Sequence, residues 1–153
     1  MENETTRKPN LKQAVPFFRS LNMQRSLKFY VDGLGFTLKN TWEPRGTIEW
    51  CWLERDGVAI MLQEPRKVWL EKHPQAHKLG EGMSIEFQCV DAIALYHEFL
   101  ERGLNPTEPF VGNGLWVTHV KDPEGFSLGF ESLTDVPEET TYSDWKTNNP
   151  ISL

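Results

Sequence analysis

Hydrophobic and polar positions along the chain change rhythm several times, and the order of rhythms occurs twice. Residues 14–21, AVPFFRSL, form a short apolar run of strand type. Met23, Leu27, Tyr30 and Leu34 then fall at helical spacing, with Asn22 placed as the N-cap and Gly33 and Gly35 as terminators. FTLKNTW (36–42) reads as a strand, Pro44 with Gly46 as a turn, TIEWCWLER (47–55) as a strand, Asp56-Gly57 as a hairpin turn and VAIMLQE (58–64) as the returning strand. After the polar, punctuated stretch 65–82 the order restarts. MSIEFQCV (83–90) is a strand, and Asp91 caps a helix over AIALYHEFLERG that places Ile93, Tyr96, His97 and Leu100 on related faces and closes at Gly103. Residues 104–110 hold a weak strand broken by Pro106 and Pro109, LWVTHVKD (115–122) is a strand, PEG turns, and FSLGFES (126–132) returns.

The chain therefore contains two copies of one unit, a strand, a helix and three strands, with Gly57 corresponding to Gly125. One helix covers only one face of its sheet, so the other face is buried elsewhere or lines a ligand cavity. The expected division is an arm at 1–12, a first βαβββ module at 13–64, a linker with one helical turn at 65–82, a second module at 83–132 and an acidic tail at 133–153. In the tail, Tyr142 and Trp145 are the large anchors. Docking on the module, docking on a partner subunit and mobility all remain open for it.

Composition narrows the function. No run of about 18 apolar residues occurs, which predicts no transmembrane helix. The N-terminal MENETTRKPNLKQ lacks the apolar centre of a signal peptide, so cytoplasmic residence is expected. A net charge of −6 argues against a nucleic-acid backbone as partner and suits a cationic ligand. Six tryptophans are a surplus for core or for a cavity wall. Cys51 and Cys89 lie in apolar strand-like runs and are expected as buried free thiols, and two cysteines alone do not make a structural zinc site.

Two stretches carry a family resemblance. NMQRSLKFYVDGLGF resembles the first helix of the vicinal oxygen chelate superfamily, and VKDPEGFSLGF resembles that family's Asp-Pro-(Asp/Glu)-Gly turn before the last strand. The group includes glyoxalase I, extradiol dioxygenases, and fosfomycin- and bleomycin-resistance proteins. With the internal repeat, the resemblance covers residues 13–132 and implies an α+β fold: two βαβββ modules whose strands form a curled, partly open mixed sheet with helices on the outer face. It implies a homodimer by analogy, since in this family the cavity is often completed between modules or between two chains. It also implies that metal-dependent members carry His, Glu or Gln on the first and last strand of each module. Carried over by spacing from the motifs, those positions fall on Val15, Met61, Ser84 and Gly129: an aliphatic, a thioether, a hydroxyl and a glycine, none a convincing ligand. The branch resembled most closely is the metal-free, ligand-sequestering, bleomycin-resistance-like one, which implies antibiotic resistance or the binding of another small molecule, without cofactor and without turnover.

Strand alternation then predicts the inward face. Phe126, Leu128 and Phe130 pack, leaving Ser127, Gly129 and Glu131 inward. Val58, Ile60 and Leu62 pack, leaving Ala59, Met61 and Gln63. Ile85, Phe87 and Cys89 pack, leaving Ser84, Glu86 and Gln88. Val15, Phe17 and Arg19 share the inward phase. The phase of 47–55 and 115–121 stays open; if Val120 packs, Val117 and His119 face in, and Glu49 and Cys51 with them. The candidate ligand-binding set is Phe17, Trp42, Trp50, Gln63, Glu86, Gln88, Trp116, His119 and Glu131, an acidic and aromatic groove for a flat or cationic organic molecule. The alternative is a metal-dependent lyase, isomerase or dioxygenase with a rearranged donor set, Gln63, Glu86, His119 and Glu131, holding one divalent ion.

Other features point to structure. His73 and His77 stand four apart as on a zinc-binding helix, but Pro74 separates them and no glutamate follows His73, so a solvated linker is expected. His97 is expected as a partly exposed helix residue. Asp122 and Glu124 form an acid pair whose place in a Pro-Gly turn predicts a capping role. No glycine-rich phosphate loop or Gly-x-Ser-x-Gly elbow is present.

Overall fold

The computed structural model describes residues 8–75 and 79–150. Its strands form two separate four-stranded sheets. The first contains β1 (Phe17–Arg19), β2 (Thr37–Trp42), β3 (Trp50–Arg55) and β4 (Val58–Gln63) in the order β1-β4-β3-β2. The second contains β5 (Ser84–Gln88), β6 (Phe110–Gly112), β7 (Leu115–Lys121) and β8 (Ser127–Leu133) in the order β5-β8-β7-β6. In each sheet the first strand runs parallel to the last and the other pairs are antiparallel. A parallel pair needs a crossover, and α1 (Met23–Leu27, continued as a π-helix over Lys28–Gly33) and α3 (Ala92–Glu101) occupy the two crossovers. The fold is α+β with two βαβββ units and mixed sheets not closed into a barrel. The eight strands lie in two four-stranded sheets, one per unit.

Local chemistry explains the boundaries. Asn22 and Asp91 each accept a hydrogen bond from the backbone N–H three residues on, at 3.0 and 2.9 Å. Past Leu27 the first helix widens, and Leu34 N–H reaches back to the Phe29 carbonyl at 2.9 Å, an i−5 bond. At the β3–β4 turn, Asp56 (φ 50) and Gly57 (φ 79) are both left-handed, and Asn113 (φ 53) and Gly114 (φ 72) repeat this at the β6–β7 turn. The second turn is an Asn-Gly signal that pins the short β6. In α3 the buried residues are Ala92 and Phe99 and Leu100 is 42% exposed, while Ile93 and Tyr96 pack beside the Trp116 and Tyr142 cluster.

One core serves both units. Phe18, Cys51, Leu53, Ile60 and Leu62 from the first sheet join Val120, Leu128 and Phe130 from the second, with Tyr30, Leu34 and Phe99 from the helices. Phe18 stacks on Phe126 at 4.2 Å. The Asp122 turn is the seam: one carboxylate oxygen caps Glu124 N–H and Phe126 N–H, both at 2.9 Å, and the other accepts the buried Tyr30 hydroxyl at 2.8 Å. Glu124 accepts Leu21 N–H and pairs with Arg25. The Asp-Pro-Glu-Gly turn therefore caps itself and also holds the two units together.

The tail docks on the second sheet. α4 (Tyr142–Asn148) packs its Tyr142 and Trp145 against Trp116, beside Val111 and Ala92. Tyr142 N–H donates to the Pro109 carbonyl at 2.9 Å, and the Glu138 carboxylate accepts from Asn113 and Gly114 N–H. The predicted helical turn in the linker is α2 (Lys67–Lys72). Among the described residues no helix is long and apolar enough to cross a membrane.

Candidate functional site

Because both apolar faces are spent on the shared core, the polar face of each sheet turns away from it. Cross-strand register orders these faces into rows. On the first sheet one row is Arg19, Gln63, Trp50 and Trp42, and the next is Phe17, Met61, Trp52 and Asn40. On the second, one row is Gln88, Glu131, Val117 and Phe110, and the next is Glu86, Gly129 and His119.

The first-sheet face is aromatic and cationic. Arg19 donates to the Gln63 amide oxygen at 2.7 Å, and its guanidinium lies 5.0 Å from the Phe17 ring and 5.3 Å from the Trp69 ring of α2. Arg66 lies 5.9 Å from the Trp42 ring. Phe17 and Trp42 are 45% and 43% exposed, and Trp50 and Trp52 are half-buried. The second-sheet face is acidic. Gln88 donates to Glu131 at 2.5 Å, and His119 Nε2 lies 3.3 Å from Glu86 Oε1. Gly129 sits between Glu86 and His119, and a Cβ built on it would fall inside the Glu86 carboxylate. Glycine here leaves the space in which Glu86 lies across the strand toward His119.

Phe17, Trp42, Trp50 and Gln63 thus share one face, and Glu86, Gln88, His119 and Glu131 share another. Within the chain no hydrogen bond, ion pair or ring contact joins the two faces among the described residues. Trp116 is corrected: it lies on the opposite side of β7 from Val117 and His119, 6% exposed and packed edge-on against Tyr142 and Trp145. Cys51 is also corrected. It pairs with Leu62 in the core, so Trp50 and Trp52 take the polar face of β3. Trp52, Trp69 and Phe110 were missed. Trp52 was legible by counting back from the Asp56-Gly57 turn, which pairs Arg55 with Val58 and hence Trp52 with Met61.

The family's metal positions do not fit an ion, since Val15, Met61, Ser84 and Gly129 supply no strong donor set. Nor does the rearranged set converge. Gln63 belongs to the other sheet and is taken by Arg19, Glu131 lies one row away bonded to Gln88, and only Glu86 and His119 meet. Among the described residues no group of three or more His, Cys, Asp or Glu is placed to hold one ion.

Away from these faces, Cys51 and Cys89 are free thiols; burial pushes Cys51 up to about 11 and raises Cys89 too. His73 stacks on Trp69 at 4.0 Å, and His77 lies outside the described residues. His97 meets the Tyr142 hydroxyl at 3.0 Å. A recess of about 640 Å³ opens at the seam of the two units, on the apolar side of β5, between Phe36, Val58, Phe87, Leu95 and Phe130.

The model of the Glyoxalase/Bleomycin resistance protein/Dioxygenase superfamily matches residues 14–130. No curated protein matches the chain in sequence. Among solved structures, a bleomycin resistance determinant encoded on the transposon Tn5 is 19% identical with a TM-score of 0.63, covering 82% of this chain and 100% of its own. A bleomycin-binding protein complexed with bleomycin is 18% identical with a TM-score of 0.59, covering 82% and 100%. TioX from Micromonospora sp. ML1 is 19% identical with a TM-score of 0.58, covering 82% and 99%. At these identities the likeness is one of fold.

Proposed function

We propose that this chain, which belongs to the Glyoxalase/Bleomycin resistance protein/Dioxygenase superfamily, binds a small cationic or aromatic organic molecule in the cytoplasm, without metal and without turnover, in a cleft closed by a second copy of itself. The observation that carries this reading is the division of labour between two outward faces. The exposed rings of Phe17 and Trp42 and the half-buried rings of Trp50 and Trp52 lie on the first sheet, and carboxylates, Glu86 and Glu131, lie on the second. A twofold pairing that sets the first sheet of each copy over the second sheet of the other forms two equal clefts, each with rings on one wall and carboxylates on the other. A flat molecule stacks on the rings of one wall, where Arg19 and Arg66 already lie over Phe17, Trp69 and Trp42, and a cationic one is drawn by the carboxylates of the other. A structural neighbour that holds bleomycin supports small-molecule binding as the role.

Sedimentation equilibrium combined with a tryptophan-fluorescence titration tests the reading, using N-methylquinolinium and its uncharged shape mimic 1-methylnaphthalene. A dimer quenched more tightly by the cation is expected. A monomer, or no preference for charge, counts against it. Calorimetric titration with Mn, Fe, Ni and Zn belongs to the same test: one tight ion per chain would turn the assignment to the metal-dependent lyase, isomerase or dioxygenase reading.

A further inference from the structure

We infer that the recess at the seam of the two units is a second binding site, for a small amphiphilic cation whose apolar body fills the hollow and whose charge rests at the mouth. The inference goes beyond the functional reading above and does not depend on it. The recess measures about 640 Å³, within the range of about 300–1,000 Å³ that ligand pockets occupy. It lies behind the polar faces, since alternation along β5 turns Phe87 toward it and Glu86 away.

Its floor and walls are apolar and come from both units. Phe36 and Phe130 are 5% and 6% exposed, and Phe87 stacks on Phe130 at 5.2 Å. The mouth differs: Val58 is 40% exposed and Val90 fully so, two apolar side chains left in water beside an apolar hollow. Among the described residues no segment covers them. α2 carries Trp69 to Arg19 on the polar face of the first sheet, and α4 lies on Trp116. A flat apolar body seated here takes these side chains out of water.

The rim sets the charge of the occupant. It holds one guanidinium, Arg55, and three carboxylates, Asp56, Asp91 and Glu98. Arg55 is already spent: it donates to Glu98 at 2.8 Å and to the Leu34 carbonyl at 2.5 Å, and lies 3.5 Å from Asp56. Asp91 accepts Ala94 N–H at 2.9 Å as the cap of α3 and has no cationic partner among the described residues. A cation at the mouth is drawn by this surplus of negative charge, and an anion is repelled.

Cys89 makes the site readable. Its free thiol lines the recess and is half-buried, whereas Cys51 lies in the core, 0% exposed. An occupant shields the first thiol and leaves the second as it was.

The test follows alkylation of Cys89 by iodoacetamide, read by mass spectrometry, with (2-naphthylmethyl)trimethylammonium, uncharged 2-naphthylmethanol or anionic 2-naphthoate as the protecting ligand. It uses the native protein, Ala94→Phe, which fills the hollow from an exposed position on its wall, and Asp91→Asn, which keeps an N-cap for α3. In the native protein the cation is expected to protect about threefold more tightly than the alcohol, and the naphthoate least. Asp91→Asn should lose the preference for the cation, and Ala94→Phe should lose protection by all three. No protection in the native protein, protection that survives in Ala94→Phe, a preference kept by Asp91→Asn, or protection by the naphthoate equal to that by the cation overturns the inference. So does a Cys89 that resists alkylation without ligand, or that reacts more slowly as protein concentration rises, which gives the recess to a second copy of the chain. Quenching of Ala94→Phe by N-methylquinolinium should match the native protein, because the cleft lies on other faces, so failure of this site and failure of the cleft are read separately.

Discussion

The hydroxyl of Tyr30 donates to the carboxylate of Asp122 at 2.8 Å, with neither residue more than 5% exposed. This bond ties the first helix of one unit to the last turn of the other. Burial raises the Asp122 carboxyl, against the hydrogen bonds from Tyr30, Phe126 and Glu124 that favour its charged form, and burial raises Tyr30 well above the usual tyrosine value. Tyr30→Phe removes the one side-chain donor. The expected loss is about 1.5–3 kcal/mol in urea unfolding at neutral pH. Because Tyr30 supports the charged form, the loss should shrink as pH falls and Asp122 takes up its proton. A loss that does not vary with pH would show that packing, not the bond, is what the hydroxyl supplies.

Glu98 differs from Asp122 in the sign of its shift. Its partial burial raises the carboxyl, but hydrogen bonds and charge from Arg55 and then Arg102 outweigh this, and its pKa is lowered. Arg55 also donates to the Leu34 carbonyl at 2.5 Å, so the pair spans the two units. A lowered folded value gives stability that is present above the unfolded value of 4.5 and is lost as pH falls through the folded one. Glu98→Gln should therefore destabilise at neutral pH and flatten the acid limb of the stability curve below about pH 4.5.

Gly129→Ala separates site geometry from stability. The added methyl meets the far end of a flexible side chain, Glu86, rather than backbone. The expected cost in chemical denaturation is under about 1 kcal/mol. The Glu86 carboxylate must swing out, and N-methylquinolinium binding should weaken in a fold that melts almost as before. Equal losses of stability and binding would place Gly129 in the core rather than in the site.

Removing residues 134–153 uncovers Trp116 and Val111, which are 6% and 1% exposed beneath α4. The expected destabilisation is about 3–5 kcal/mol, comparable with deleting one large aromatic from a core. It should be accompanied by a red shift of tryptophan emission. Trp145→Ala alone should cost less, since Tyr142 still covers Trp116.

Alternation along the chain was enough to establish the element order, the repeat and most of the sheet faces. Apolar residues at every second position, such as Phe126, Leu128 and Phe130, have one energetically sensible direction to point, and Asn22 and Asp91 mark helix starts by chemistry that acts within four residues. The same local reasoning placed Glu86 and Glu131 on one face, with His119 beside them only on the condition that Val120 packs. It failed where pairing decides phase. Trp116 and Cys51 sit in runs apolar on both sides, where alternation gives no contrast, and only hydrogen-bonded register to β8 and β4 assigns their faces. It was silent on docking, because whether Tyr142 and Trp145 cover Trp116 depends on surfaces brought together from distant positions. It did not separate the predicted site into two faces, since that follows from both sheets burying their apolar sides in one core. Short-range pattern sets what each strand presents; long-range packing sets what each presented face meets.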